Sequence, residues 1–444
     1  MMASKKESVA YRLLRFSLPL ILSGVLQQLY NWADAFIVGN VAGELSLAAI
    51  GATGTVINLY LMVITGFTLG LSILFAQTFG SGETESIPKL LATFSLVLGA
   101  AFLVLSGLGV GLTAPLLRLL HTTADTFLLA KHYLQIIFIG IPFLAVYNVY
   151  AAALRGIGDS RTPFLAIVLS SLVNVGLDIV FVALLRWGVA GAAAATVIAQ
   201  AAMTAFLIVY SAKKHPLLRF APNRRSLDKT ALLQGVRFGI PPMIQSSVSA
   251  CGSLVLQNFM NGFGTQTVAA ITTAYRVDTI VLLPIINLGS GISTMTAQSH
   301  GAGEAQRAKR VLAVGTVIML VVSAALTALV IPTGGHLIAM FGGGPAATEI
   351  GRSFFLRIAS FYVIFGLASA MRGYLEGLGD VVYSSVAGIV SLATRIVLSY
   401  ALAGAFGNMV IAYAEGVSWG VLLVLYVARM LWKNRKSAEV GETG

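Results

Sequence analysis

The sequence predicts an all-α integral membrane protein, with twelve transmembrane helices in two six-helix lobes related by a pseudo-two-fold axis along the membrane normal. Three observations carry this. The 444-residue chain is 57% hydrophobic and only 10% charged, where soluble domains carry about 25% charged residues. Its apolar stretches are each long enough to cross a hydrocarbon core of about 30 Å. The sequence also repeats itself at an offset of about 221 residues. Lipid offers the backbone no partners, so runs of Leu, Ala, Val and Ile with interspersed Gly read as packed helices.

The first span covers 12–40. It is too long for a signal peptide and no small-residue cleavage pattern follows, so it is expected to remain as a helix. It carries Pro19, a candidate hinge because proline removes a backbone donor and bends helices. It also carries Gln27, Asn31 and Asp34, a polar stripe at helical spacing that is expected to face a cleft or an ion cavity. Spans 45–79, 90–112 and 126–154 follow. The fifth, 162–186, holds Asn174 and Asp178, four residues apart and therefore on one helix face. The sixth, 190–212, holds Thr196. A basic stretch from Lys213 to Lys229, with Pro216 and Pro222, then joins the lobes. The second set is 230–260, 267–300, 307–333, 347–375, 383–405 and 410–433. The expected division is an N-terminal lobe 1–212, a cytoplasmic linker 213–229 and a C-terminal lobe 230–444.

The repeat is explicit. Arg15-Phe16-Ser17-Leu18-Pro19 returns as Arg237-Phe238-Gly239-Ile240-Pro241. Ala76-Gln77-Thr78-Phe79-Gly80-Ser81-Gly82 returns as Ala297-Gln298-Ser299-His300-Gly301-Ala302-Gly303. Gly156-Ile157-Gly158-Asp159 returns as Gly377-Leu378-Gly379-Asp380. Six spans per unit make the second unit enter from the same side as the first, which gives parallel repeats and favours alternating access. No Gly-Lys-Ser/Thr signature follows the glycine turns, so they are not phosphate loops.

The formal charge of +12 is distributed as in a membrane protein. With the N-terminus inside, twenty-two basic residues fall on inner positions. Only Arg118, Lys131, Arg186, Arg352 and Arg357 fall on outer ones, while Arg276 and Arg395 lie within spans. The positive-inside rule puts both termini in the cytoplasm of a cell-membrane protein. No folded basic module is left for nucleic acid. Cys251 is the single cysteine, so no disulfide forms within the chain, and its apolar helix reads it as packing. His121, His132, His215, His300 and His336 lack the close helical spacing of a zinc protease. No resident cofactor is expected.

Asp34 is the most informative residue. An intramembrane carboxylate costs roughly 2.5–3.5 kcal/mol on insertion scales, so it marks a functional site by default.

Asp34-Ala35-Phe36-Ile37-Val38-Gly39, Ala48-Ala49-Ile50-Gly51, Ala76-Gln77 with its glycine turn, and Leu154-Arg155-Gly156-Ile157-Gly158-Asp159 resemble the multidrug and toxic compound extrusion (MATE) family. Ala274-Tyr275-Arg276-Val277-Asp278 and the turn from Gln298 to Gly303 extend the resemblance over nearly the whole chain. It implies a cation-coupled exporter with a central cleft, and a first helix that bends at Pro19. It also groups Asp34, Asn174, Asp178 and Thr196 as one cation site. Helix rise places Asp34, Asp178 and Thr196 at a common depth of roughly 9–12 Å below the outer surface. Their oxygens suit Na⁺, which prefers hard ligands, or a proton, since burial and a second carboxylate both favour the protonated acid.

The second lobe departs from the first. Arg395 stands at the repeat equivalent of Asn174, and Ser399 at that of Asp178. The seventh and tenth spans lack the acids that one MATE branch uses. Arg276, Asp278 and Arg395 remain as possible cleft residues, with Glu415 as a further charge. Asp278 is expected to pair with Arg276 or Arg395. The function implied is secondary-active export of amphipathic or cationic organic compounds against inward H⁺ or Na⁺, by a monomer that needs no partner beyond substrate and bilayer. The alternative is a lipid-linked precursor or polysaccharide flippase of the same superfamily, which wants a strongly cationic cleft. An enzyme would want a clustered catalytic set near an interface, and none is visible.

Overall fold

The computed structural model describes residues 7–219, 228–340 and 344–442. All regular structure among them is helical. The first half is built from α1 (Val9–Ala42), α2 (Glu44–Gly80), α3 (Ser86–Leu119), α4 (Ala124–Gly156), α5 (Arg161–Asp178) and α6 (Gly188–Lys214). The second half contains α7 (Lys229–Asn261), α8 (Thr265–Val281), α9 (Leu283–Gly301), α10 (Ala305–Met340), α11 (Pro345–Ile358), α12 (Tyr362–Gly377), α13 (Val381–Ala401), the short α14 (Ala403–Phe406) and α15 (Val410–Glu442).

Ten helical stretches among the described residues are long and apolar enough to cross a membrane, and the α8–α9 pair, bent by 40°, makes eleven. The chain is therefore a multi-pass membrane protein. Two expected spans are not among the ten. The span at 267–300 breaks at Leu282, where Pro284 starts α9 without a donor to the preceding turn. The span at 230–260 is one 33-residue helix, α7, with Pro241 and Pro242 inside it. Arg237, Gln245, Gln257 and Asn258 make it more polar than α6 before it.

The chain divides into two compact units, Leu22–Met243 and Met1–Ile21 with Ile244–Gly444. The boundaries fall inside α1 and α7, not at the linker expected over 213–229. Pro19 lies two residues before the first crossing, and Pro241 and Pro242 lie just before the second. Lys213 and Lys214 finish α6, Pro216–Leu218 form a 3₁₀ turn, Lys229 already opens α7, and residues 220–227 lie outside the described ones. The inner basic positions Lys5, Lys6, Arg224 and Arg225 also lie outside them.

Helices in lipid associate by close packing, because no water is expelled between them, so small residues sit where axes approach. In the first unit, a side chain at Gly70 would put its Cβ 1.9 Å from the Phe238 carbonyl oxygen of α7. The core around this contact holds Phe67, Phe75, Phe94, Phe138 and Tyr150. In the second unit, Gly291 of α9 takes in Ser17 and Leu13 of α1, and Gly373 of α12 lies against the Gly289 carbonyl. Leu13, Ile292, Phe354, Phe355 and Tyr362 form that core.

The repeat is visible in the backbone. Positive φ recurs at Gly43 and Gly264, Gly82 and Gly303, and Gly158 and Gly379. At Gly158 and Gly379 the chain reverses into α5 and α13 through a left-handed residue (φ 89° and 86°) that only glycine adopts without strain.

Each of these reversals carries an ion cluster. Asp159 accepts from Thr162 Oγ1 (2.6 Å) and Lys214 Nζ (2.9 Å), with His215 Nε2 at 2.8 Å. Asp380 accepts from Arg429 Nε (2.7 Å) and Lys433 Nζ (3.0 Å). In each unit the start of one helix is thus clamped to the basic end of the last.

Candidate ion-coupling site

The first unit brings together what the sequence scattered over three helices. Asp34 lies eight residues before the end of α1. Asn174 and Asp178 share one face of α5. Immediately after Asp178 the helix widens into a π turn over Ile179–Leu184, an irregularity common at functional sites. The turn into α6 is tight. Phe181 stacks on Trp187 with centroids 4.9 Å apart, and Gly191 lies against the Phe181 backbone. This fixes α6 on α5, so that Asn174 Nδ2 lies 3.5 Å from Thr196 Oγ1, which in turn donates to the Ala192 carbonyl (3.0 Å).

Asn174 and Asp178 are buried, at 2% and 0% exposure, and Asp34 and Thr196 are half-buried. Both Asp178 oxygens, Asp34 Oδ1 and the Asn174 carbonyl oxygen meet no hydrogen-bond donor. Yet the Asp34 and Asp178 carboxyls lie within hydrogen-bonding reach of each other. Two bare carboxylates repel. A proton between them, or a cation bound to their oxygens, makes the contact attractive. Four unsatisfied acceptors therefore point to a positively charged guest, because a buried acceptor left alone is costly. Val38, Ile137, Val182, Val189, Ala192 and Ala193 form an apolar shell beside it, and low local polarity strengthens the demand for that guest.

Tyr133 of α4 was not singled out by the sequence. It is buried at 6% exposure, belongs to the same shell, and its phenol lies near both acids and Tyr30. A lone tyrosine in an apolar helix reads as core, and only the fold shows it beside two carboxyls.

The remaining candidates separate. Gln27 and Asn31 are exposed on α1, unlike Asp34. Pro19 lies inside an unbroken α1. Cys251 is exposed, contrary to the packing reading. The adjacent Gly252 is the residue that meets Leu392, so Cys251 faces away.

In the second unit the expected pairing of Asp278 is corrected. Arg276 is exposed. Arg395 Nη2 donates to Glu415 Oε2 (3.0 Å) and Tyr275 OH (2.7 Å), and Tyr275 OH donates to the same Glu415 oxygen (2.8 Å). Asp278 Oδ1 instead accepts from the Tyr362 hydroxyl. Partners on separate helices leave no spacing signal, so the choice of Glu415 over Asp278 was not legible.

Comparison with known proteins places this architecture. The chain is 28% identical over 97% of its length to the "Probable multidrug resistance protein YoeA" of Bacillus subtilis (strain 168), covering 96% of that protein. It is 23% identical over 95% of its length to the "Probable multidrug resistance protein NorM" of Thermotoga maritima, covering 93% of it. Its fold resembles an outward-facing multidrug resistance MATE family transporter of the MOP superfamily, with a TM-score of 0.90, 20% identity and 100% of both chains covered. The MatE family model matches residues 19–180 and 241–401, one stretch in each repeat and together well over half of the sequence. With both repeats matched, the chain belongs to the MatE family.

Proposed function

We propose that this protein is a secondary-active exporter of amphipathic or cationic organic compounds, driven by inward movement of H⁺ or Na⁺ through alternating access. The observation that carries the ion site is the set of buried acceptors without donors on Asp34, Asn174 and Asp178. Thr196, half-buried and next to Asn174, supplies a fourth oxygen. An ion on these oxygens stabilises whichever conformation gathers them, and this difference in affinity couples ion to substrate movement. Tyr133 lines the apolar side of the site.

The finer architecture follows from the sequence repeat. Counting α7 as a span gives twelve, and six per repeat gives parallel units about an axis along the membrane normal. The positive-inside balance puts both termini in the cytoplasm of the cell membrane. The two lobes exchange their leading half-helices, and Pro19, beside the crossing in α1, serves as the hinge. Gln27 and Asn31, exposed on α1, are available to substrate. One copy of the chain suffices.

The test is substrate efflux from proteoliposomes under separate proton and sodium gradients. Coupled efflux by the wild type, and its loss in Asp34→Asn with insertion intact, is the expected result. Wild-type efflux by that variant removes the ion site. Failure of both gradients to drive efflux of any cationic dye by the wild type removes the exporter reading.

A further inference from the structure

The second unit holds a buried charge cluster that the first-unit site does not use. It contains two acids and one base. Arg395 is committed to Glu415, 3.0 Å away, and to Tyr275, 2.7 Å away. Side-chain exposure is 20% for Arg395 and 9% for Glu415, so the pair is largely shielded from solvent, although Arg395 Nε meets no acceptor. Asp278 is left over. It is 3% exposed, and its Oδ1 receives one hydrogen bond from a neutral phenol, Tyr362. No described cationic side chain lies within ion-pair distance of it.

The surrounding helices confirm the imbalance. Facing Asp278, α8 itself contributes Tyr275, α12 contributes Tyr362, α13 contributes Arg395 and α15 contributes Glu415. On the α11 side Phe354 lies edge-on to Tyr275, and Arg357 is engaged by Ser353 (2.7 Å) and the Tyr413 ring. α10 carries no titratable residue between Arg310 and His336, and α9 carries none before His300. The cluster as bare ions therefore sums to one excess negative charge inside an apolar bundle. Such a charge pairs or is neutralised.

A metal cation fits poorly here. The phenol hydrogen occupies Asp278 Oδ1 and Glu415 Oε2 already accepts two donors, which leaves too few free oxygens for a coordination shell, and the nearby guanidinium repels a second cation. A proton needs none of this space, since it rides on the carboxyl itself.

We propose that Asp278 is a second proton-carrying site of this transporter, held by Tyr362 and separate from the Asp34–Asp178 pair. The proposal rests on the ion-coupled reading above for its use in transport, though not for the protonation itself. When the carboxyl is protonated, Tyr362 still donates to Oδ1 while Oδ2 carries the proton, and the Arg395–Glu415 pair stays balanced. When the proton leaves, the cluster gains a net charge. Any conformation that admits water to Tyr362 and Asp278 then favours release, and any that seals them favours uptake.

The test has two arms. In infrared difference spectra of the purified full chain at neutral pH, the wild type is expected to show a carboxylic-acid carbonyl band that Asp278→Asn removes. Tyr362→Phe is expected to keep that band and move it to higher frequency, because the carbonyl loses its donor. A merely structural acid pair gives no such band. In proteoliposomes, Asp278→Asn is expected to move one proton fewer per substrate than the wild type while retaining efflux. Spectra with the same carboxylic-acid bands in wild type and Asp278→Asn overturn the proposal, as does an unchanged proton count in a coupled variant. The infrared arm requires no transport, so it decides this site even if wild-type efflux proves uncoupled and the exporter reading falls.

Discussion

Asp34→Asn separates an ion site from a structural acid. In the wild type, Asp34 Oδ1 and both Asp178 oxygens lack donors. An unsatisfied buried acceptor costs about 1–3 kcal/mol. The asparagine amide can donate across the same gap to Asp178, so the variant satisfies an oxygen without a guest. Stability is expected to hold or to rise by about 1 kcal/mol, read as an unchanged or higher thermal midpoint in detergent. Transport moves the other way. One ion descending a tenfold gradient supplies about 1.4 kcal/mol, which sustains a tenfold substrate gradient. With the ion lost, the sustained substrate ratio is expected to fall from about ten towards one for each coupled ion. The assay is steady-state dye accumulation in proteoliposomes at a fixed tenfold ion gradient, beside the melting curve of the same preparation. A variant that melts early and still concentrates dye like the wild type would refute the reasoning, because Asp34 would then be holding helices together and not an ion.

Three further outcomes follow. Asp178→Asn is expected to lose coupling as Asp34→Asn does, and the double variant to lose no more than either, since residues sharing one guest are non-additive; additive losses in the same efflux assay count against a shared site. Asp159 and Asp380 lie outside the spans. Burial raises Asp159, but hydrogen bonds from Thr162, His215 and Lys214 outweigh it and hold the carboxyl well below the usual range. A depressed acid stabilises the fold above its unfolded value of about 3.9 and loses that contribution as pH falls through the folded value. Asp159→Asn is therefore expected to cost roughly 2 kcal/mol near neutrality and to flatten the acid limb of a pH-dependent melting series. Finally, Gly70→Ala drives a Cβ into the Phe238 carbonyl, whereas Gly51 faces open space. The first substitution is expected to lower the melting midpoint by an amount equivalent to about 1–3 kcal/mol, and Gly51→Ala to be neutral or mildly stabilising.

Much of the fold was legible because lipid imposes simple demands. Long apolar runs have to be helices, and the duplicated motifs fixed the repeat. Asp34, Asn174 and Asp178 stand out in the sequence because a carboxylate or amide in hydrocarbon is costly and needs a partner. Tyr133 gave no such signal, since its ring belongs in a core and only its hydroxyl belongs to the site. The charge pairing of the second unit is hidden from the sequence for a different reason. Arg395 had three acids or phenols within reach, and helix rotation, which no residue spacing records, selected Glu415 and Tyr275 and left Asp278 to Tyr362. The unit boundaries were hidden too. The basic stretch before α7 looks like a joint, whereas the compact units part inside α1 and α7.

That last feature bears on ancestry. Each sequence half lends its leading arm to the other half's bundle: Leu13 and Ser17 settle among α9 residues, and Phe238 settles on α2. A half-length progenitor with this architecture would leave one hydrophobic trough open and one arm homeless. It closes only when two copies trade arms, so obligate pairing comes before gene fusion. Cutting the present protein between its halves should accordingly yield fragments that insert and fold together, but neither one alone.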